Sequence, residues 1–383
     1  MADRQRPGAR RAPGGPRGRD AALGRATARP VLISGYYGFG NLGDEAVLAG
    51  LLGELRGRVP SARPIVFSAD PPGTRVLHGV EAIPRTPSRV WQALAGARLL
   101  IMGGGSLVQD VTSARSALYY LGTMLAAARR GVPVAAVGQG IGPIRRRWVQ
   151  HVAARAFEAA RVISVRDRDS LGALEALGVS RPIHLGADLS VLLSPAPREQ
   201  VETALRRAGL EPGRPTVAAA VRPWPGLADP EVLGGILRRA TASWGASVAV
   251  LVFDRRRDQA ASDAVARASG GRVIAASTPQ ELLGLVGAMN LVVGVRFHAI
   301  VFAAASGVPA VGLAYDPKVS AFMTEQGLQG LLPVDASPRA LLQALEAAWT
   351  APRVQPAALQ ARLEEWRRAA AAGVAAAAGL LVD

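Results

Sequence analysis

One rhythm constrains this chain more than any other feature. From residue 30 onward, short β-rich runs alternate with amphipathic stretches of helical period. Alternation of this kind builds parallel sheets, because consecutive parallel strands need a crossover and a helix is the usual one. In the first half, strands are expected near 30–34, 64–68, 99–102, 132–137, 162–165 and 182–185, with helices near 44–56, 113–130, 147–160 and 169–177. A Pro- and Arg-rich stretch from Ser194 to Pro215, holding one short helix, interrupts the rhythm. It then restarts, with strands near 216–221, 247–253, 272–276, 291–295 and 310–313, helices between them, and further helices at 338–350 and 356–377. A chain of 383 residues is long for a single core. The pattern predicts an α/β protein of two doubly wound, Rossmann-like domains facing each other across a cleft. The expected parts are a disordered basic arm over 1–29, an N-terminal domain over 30–195 and a linker over 196–215. A C-terminal domain over 216–350 follows, then a terminal helix over 351–383 that packs back on the N-terminal domain.

Composition removes several function classes. Cys is absent, which excludes disulfides, thiolate metal sites and a Cys nucleophile. None of the four His residues (His78, His151, His184, His298) stands at a metal-ligand spacing from another. No apolar run reaches the ~20 residues that span a bilayer, and Arg10-Arg11 leads into Ala-Pro-Gly-Gly-Pro instead of an apolar segment. A cytoplasmic location is therefore expected. Of the formal net charge of +16, residues 1–29 supply +6, from eight Arg against two Asp. Such an arm suits the anionic face of a membrane; a solvated tail without a partner is the other reading of the same composition. No nucleic-acid module follows it, so no nucleic-acid partner is expected. Lys318 is the only Lys in the chain and marks a candidate site for a compact ammonium.

The most informative local motif is Arg296-Phe297-His298, where a buried strand hands over to the apolar run Ala299 to Ala305. Open α/β sheets hold ligands in the crevice beyond the carboxyl ends of their strands. A guanidinium there suits bidentate capture of phosphate or carboxylate. An imidazole, with an ordinary pKa of about 6.5, suits proton transfer near neutrality. The pair points to an anionic substrate that must also exchange a proton. A helix-capping Arg beside a packed His is the bland alternative.

Glycine-rich strand ends recur in the first half. Gly38-Phe39-Gly40-Asn41-Leu42-Gly43 is formally a dinucleotide fingerprint, with Asp70 where a ribose-binding acid would sit. Four residues separate its first Gly from the strand, however, and Asp44-Glu45 opens the helix where a pyrophosphate would lie. Carboxylates there favour the helix dipole and repel a dianion, so this end is suited to hydroxyls. Met102-Gly103-Gly104-Gly105-Ser106, with Gln109-Asp110 after it, and Gly138-Gln139-Gly140-Ile141-Gly142-Pro143 follow two further strands. Backbone at these points is expected to approach something closely, notably at Gly104 and Gly105. Asn41, Asp44, Gln109, Asp110 and Gln139 would project into one rim suited to sugar hydroxyls. Arg166, within Ser164-Val165-Arg166-Asp167-Arg168-Asp169-Ser170, and Arg222, within Arg222-Pro223-Trp224, end two more strands. Asp167 is expected to orient Arg166 or to cap the next helix.

Taken together, GYYGFGNLGDEA (35–46), MGGGSLVQD (102–110), GQGIGP (138–143), SVRDRDS (164–170), GAD (186–188), VRPW (221–224), VRFHAIVFA (295–303) and YDPKV (315–319) resemble the polysaccharide pyruvyl transferase family, most closely its CsaB-like branch. The resemblance runs from about residue 31 to 330. It implies a two-domain fold like that of GT-B glycosyltransferases, with an N-terminal acceptor side and a C-terminal donor side. The activity it implies is transfer of the pyruvyl group of phosphoenolpyruvate onto neighbouring sugar hydroxyls, forming a cyclic ketal and releasing phosphate. The implied acceptor is a lipid-linked cell-wall saccharide containing N-acetylmannosamine, handled at the inner membrane face. No metal and no cofactor beyond the donor is implied. By position, Arg166 and Arg296 would hold phosphoenolpyruvate, His298 would be the general acid, and Arg222 and Lys318 would assist with phosphate. Asp44 or Asp110 would accept the hydroxyl proton. Self-association is left open. The rival activity is a GT-B glycosyltransferase using a nucleotide sugar, for which Glu281 is the candidate ribose-binding acid. A rival of another class is a non-catalytic sugar-binding or scaffold protein.

Overall fold

In the computed structural model, residues 29–382 are described, apart from 112, 227 and 228. The arm expected over 1–29 therefore lies, except for Arg29, outside the described residues. Two parallel sheets flanked by helices make up the fold. The first contains β1 (Val31–Ser34), β2 (Pro64–Ser68), β3 (Glu81–Pro84), β4 (Leu99–Met102), β5 (Gly105–Val108), β6 (Val134–Ile141), β7 (Val162–Val165) and β8 (His184–Leu185), in the order β3-β2-β1-β4-β6-β7-β8, with β5 paired to β6. The second contains β9 (Thr216–Ala220), β10 (Ser247–Leu251), β11 (Arg272–Ile274), β12 (Leu291–Gly294), β13 (Ala310–Ala314) and β14 (Leu331–Pro333), in the order β11-β10-β9-β12-β13-β14.

Both faces of each sheet are covered, which is why the central strands are apolar throughout. The two-residue period sorts their side chains: Val31 and Ile33 enter one core and Leu32 the opposite one, while Leu99 and Ile101 part from Leu100 and Met102 in the same way. In β9, Ala218 and Ala220 likewise part from Val217 and Ala219. The inner core is shared by both lobes. It joins Leu48, Leu51 and Leu55 of the Leu42–Arg58 helix to Leu282, Leu285, Ile300 and Phe302 of the second lobe, through Leu189 and Val191. Trp366, Ala370 and Val374 of the Pro356–Gly379 helix complete it. That terminal helix crosses over to the first sheet: a Cβ on its Gly373 would stand 2.6 Å from Ser164 Oγ of β7.

Strand order reverses between β1 and β4 in the first sheet and between β9 and β12 in the second. Each reversal leaves a crevice at the carboxyl ends of the strands. The two crevices open on one cleft. Backbone ties the lobes together there, through Leu42 N–H donating to Phe253 O (2.8 Å) and a bridge between Asn41 and Asp254.

Candidate active site

The loop after β1 is shaped by Glu45, which is 3% exposed. One of its oxygens accepts Gly38 N–H at 2.8 Å and the other contacts His78 Nε2 at 2.8 Å. This fixes the glycine loop and turns Glu45 away from the cleft. Its neighbour Asp44 faces the cleft instead, with Asn41 Nδ2 donating to it while Asn41 Oδ1 accepts Gly43 N–H (3.2 Å) to cap the helix. Tyr36 and Phe39 stack with ring centres 4.1 Å apart on the same wall. Gly105, Ser106 and Gln109 line the cleft from β5 and the loop after it. Arg222, Arg296, His298 and Lys318 line it from the second lobe, together with Trp224 and Tyr315. The space enclosed is about 730 Å³.

His298 sits where the lobes meet. Its ring presses on the first helix so closely that a Cβ on Gly43 would stand 2.3 Å from Nδ1. Nε2 lies 3.7 Å from Asp188 Oδ1, an ion-pair distance beyond direct hydrogen bonding. Burial pushes the Asp188 carboxyl up, but His298, Arg166 and the Ser190 N–H outweigh it and hold the group well below the usual carboxylate range. Asp188 is thus a negative charge held beside the ring. Asp44 goes the other way. Burial raises it to about 6, against the pull of His298 and Lys318. One imidazole therefore stands between a permanently ionised carboxylate and one that titrates near neutrality, an arrangement that separates acid and base roles.

The cations divide into two kinds. Arg166 is held from three sides: Nε donates to Asp167 (2.9 Å), Nη2 to Ser106 Oγ (3.0 Å), and Nη1 lies 3.6 Å from Asp188. Asp167 performs both roles expected of it, since its other oxygen accepts Ser170 N–H at 2.8 Å and caps the helix. Arg296 is forked by Asp258, with Nε donating to Oδ2 at 2.9 Å and Nη2 to Oδ1, and Asp254 lies nearby at 4.0 Å. Only its Nη1 is left for the cleft among the described residues. These two Arg, expected as the donor clamp, both line the cleft, each paired with a buried carboxylate. Arg222 has no acidic partner among the described residues. It lies over Trp224 and Tyr315 at 4.9 and 5.1 Å and gives Tyr315 only a long bond of 3.4 Å. Lys318 Nζ is 3.1 Å from Asp316. Arg85, missed in the sequence, is another cleft Arg without an acidic partner among the described residues, held over Phe39 and Tyr119 at 4.9 and 4.2 Å. It follows β3, a short edge strand that the pattern did not reveal.

Three expected residues do not face the cleft. Gln139 is inside β6, 1% exposed, and donates to Met102 O at 2.8 Å, so it ties β6 to β4. Gly104 packs between strands, where a Cβ would stand 2.7 Å from Gly138 O. The Asp110 carboxylate is closed to solvent and accepts Arg145 N–H at 2.7 Å and Arg146 N–H at 2.8 Å. Burial opposes this charge, but those two amides hold its pKa below the usual value. It clasps two loops and stands outside the cleft lining, away from the position a base would need. The ribose-binding acids required by nucleotide readings are also structural. Asp70 caps a helix through Gly73 N–H (3.1 Å), and Glu281 accepts Ser277 N–H (2.8 Å) at another helix start.

The close approaches expected at the glycine loops are largely made by the protein itself. Gly43 admits His298, and Gly140 admits Arg166, whose Cζ would be 2.7 Å from an added Cβ.

Two lobes of this topology with a cleft at both switch points define the GT-B class. UDP-GlcNAc 2-epimerase from Methanocaldococcus jannaschii superposes with a TM-score of 0.61 at 10% identity, over 88% of this chain and 98% of its own. The enzyme of the same name from Neisseria meningitidis, bound to UDP-GlcNAc, gives 0.57 at 14%, over 92% and 98%. At such identities the likeness concerns fold alone. No protein of curated function matches the sequence. The family model described as polysaccharide pyruvyl transferase matches residues 41–317, and the chain belongs to that family.

Proposed function

We propose that this enzyme transfers the pyruvyl group of phosphoenolpyruvate onto a lipid-linked cell-wall saccharide, as a CsaB-like member of its family. The family supports pyruvyl transfer to a polysaccharide; donor, acceptor and ketal chemistry are the reading advanced here. The observation that carries it is His298, held between Asp188 and Asp44 on the rim that also bears Arg222 and Lys318.

Phosphoenolpyruvate brings roughly three negative charges to neutral solution, and Arg222, Lys318 and the free Nη1 of Arg296 are the cations that meet them. His298 delivers a proton to the methylene carbon, and C2 becomes electrophilic. An acceptor hydroxyl attacks C2 and gives its proton to Asp44, whose pKa of about 6 suits a base near neutrality. The C2–O bond to phosphate then breaks, a second hydroxyl closes the ketal, and its proton leaves with the phosphate. Tyr36, Phe39 and Trp224 give the apolar faces on which a pyranose can rest. An N-acetylmannosamine-containing acceptor at the inner membrane face is proposed from the family resemblance. No helix among the described residues is long and apolar enough to cross a membrane.

Incubation with lipid-linked saccharide and either phosphoenolpyruvate or UDP-sugars tests the proposal. Acceptor-dependent release of phosphate from the former is expected. Release of UDP, with phosphoenolpyruvate untouched, would replace this reading with glycosyl transfer.

A further inference from the structure

The clasp at Asp110 has a consequence outside the catalytic groups. It fixes the loop bearing Val111 against Arg145 and Arg146, just before the Arg147–Glu158 helix begins. Asp110 O also accepts Arg146 Nη1 at 2.8 Å. The surface so built is unusual. Trp148 is 49% exposed and Val111 47%, and all three Arg are exposed. Arg146 reaches Asp110 at 3.5 Å, whereas Arg145 and Arg147 have no acidic partner among the described residues. Val149, next to Trp148, is wholly buried, so the helix is anchored from beneath while Trp148 points outward. Val111 and Arg145 also line the cleft, which places the patch at its mouth on the first lobe.

We infer that this patch docks the enzyme on an anionic lipid surface. Trp and a small apolar side chain enter the headgroup boundary, and adjacent Arg residues pair with lipid phosphates. A polyanion alone would explain the Arg but leave exposed Trp148 and Val111 in water; a bilayer surface accounts for both. The purpose of the patch rests on the lipid-linked acceptor proposed above, because it would set the cleft mouth at the membrane from which such an acceptor is taken. Its binding is measured without turnover, so its fate is separate from that of the catalytic reading.

The test is cosedimentation of the full chain with phosphatidylcholine vesicles, with and without phosphatidylglycerol. Wild type and an Arg147→Ser/Trp148→Ala variant share the same basic arm, so the difference between them isolates the patch. Binding to the anionic vesicles should fall by more than about fivefold, the effect of one basic residue alone near such a surface. Pyruvyl transfer to a water-soluble saccharide should stay unchanged. In a second measurement, brominated phosphatidylcholine mixed with phosphatidylglycerol should quench wild-type Trp fluorescence, and Trp148→Phe should lose that quenching. Equal vesicle binding by the two proteins, or equal quenching in Trp148→Phe, would overturn the inference.

Discussion

Gly43→Ala changes no charge and removes no group, yet it should disable the enzyme. Gly43 is in the first turn of the Leu42–Arg58 helix, where Ala ordinarily stabilises by roughly 0.5–1 kcal/mol. Here the new methyl would stand 2.3 Å from Nδ1, 2.7 Å from Cγ and 3.0 Å from Cβ of His298. Relief requires a movement of about 1 Å, since non-bonded heavy atoms rest near 3.5 Å or beyond. The helix is poorly placed to supply it, because Leu42 N–H is fixed to Phe253 O and Gly43 N–H to Asn41 Oδ1. The imidazole moves instead and loses its 3.7 Å contact with Asp188. Misplacement on this scale costs about 10²-fold in rate, and complete loss of a general acid on the order of 10²–10⁴, or about 3–5 kcal/mol in the barrier. Overpacking of about 1–3 kcal/mol, partly offset by the better helix former, should lower the melting temperature only modestly. Phosphate release under saturating donor and acceptor, alongside thermal unfolding, separates the two effects. Wild-type turnover in a folded Gly43→Ala protein would refute the placement of His298 in the chemistry.

Three further substitutions have defined outcomes. If Asp44 is the base, kcat/KM should fall about tenfold per pH unit below about 6; Asp44→Asn should be flat there and lower by about 10²–10⁴. Because the folded pKa of Asp44 is raised, ionising it costs stability as pH climbs from about 4 to 6, so Asp44→Asn should unfold no more readily than wild type at pH 7. Arg222→Ala should weaken phosphoenolpyruvate binding measured by calorimetry, by about 1.5–3 kcal/mol for one charge-assisted contact; unchanged affinity would move the donor elsewhere. Asp110→Ala should lose about 1–3 kcal/mol of stability at pH 7, since two backbone amides lose their acceptor, while the KM for phosphoenolpyruvate is unaffected. The depressed pKa of Asp110 means that this stabilisation is present above about pH 4 and disappears as pH falls below it.

Much of the architecture was legible because buried parallel strands and their crossover helices leave a strong periodic trace. Strands such as Leu99–Met102 and Leu291–Gly294 are apolar on both faces and flanked by turn residues. What the sequence hid was short or edge-placed. Glu81–Pro84 and Leu331–Pro333 are short edge strands left largely half-buried or exposed, and Gly105–Val108 reads as part of a glycine loop. Missing the first of these also hid Arg85. The strand Val134–Ile141 runs through Gly138-Gln139-Gly140, so Gln139 became a strut inside a sheet where a rim residue was expected. Residue type alone could not say which Arg were free. That depends on Asp258 and Asp188, distant in sequence from the Arg they neutralise, and only folding brings them together.

The central claim is that His298 supplies the proton while other groups hold the donor. Calorimetry of phosphoenolpyruvate binding and single-turnover phosphate release, both on His298→Ala, test it most directly. Near-normal donor affinity with turnover reduced by about 10²–10⁴ is the predicted result. Turnover at the wild-type rate would contradict the account, as would a loss of donor binding large enough to explain the whole defect.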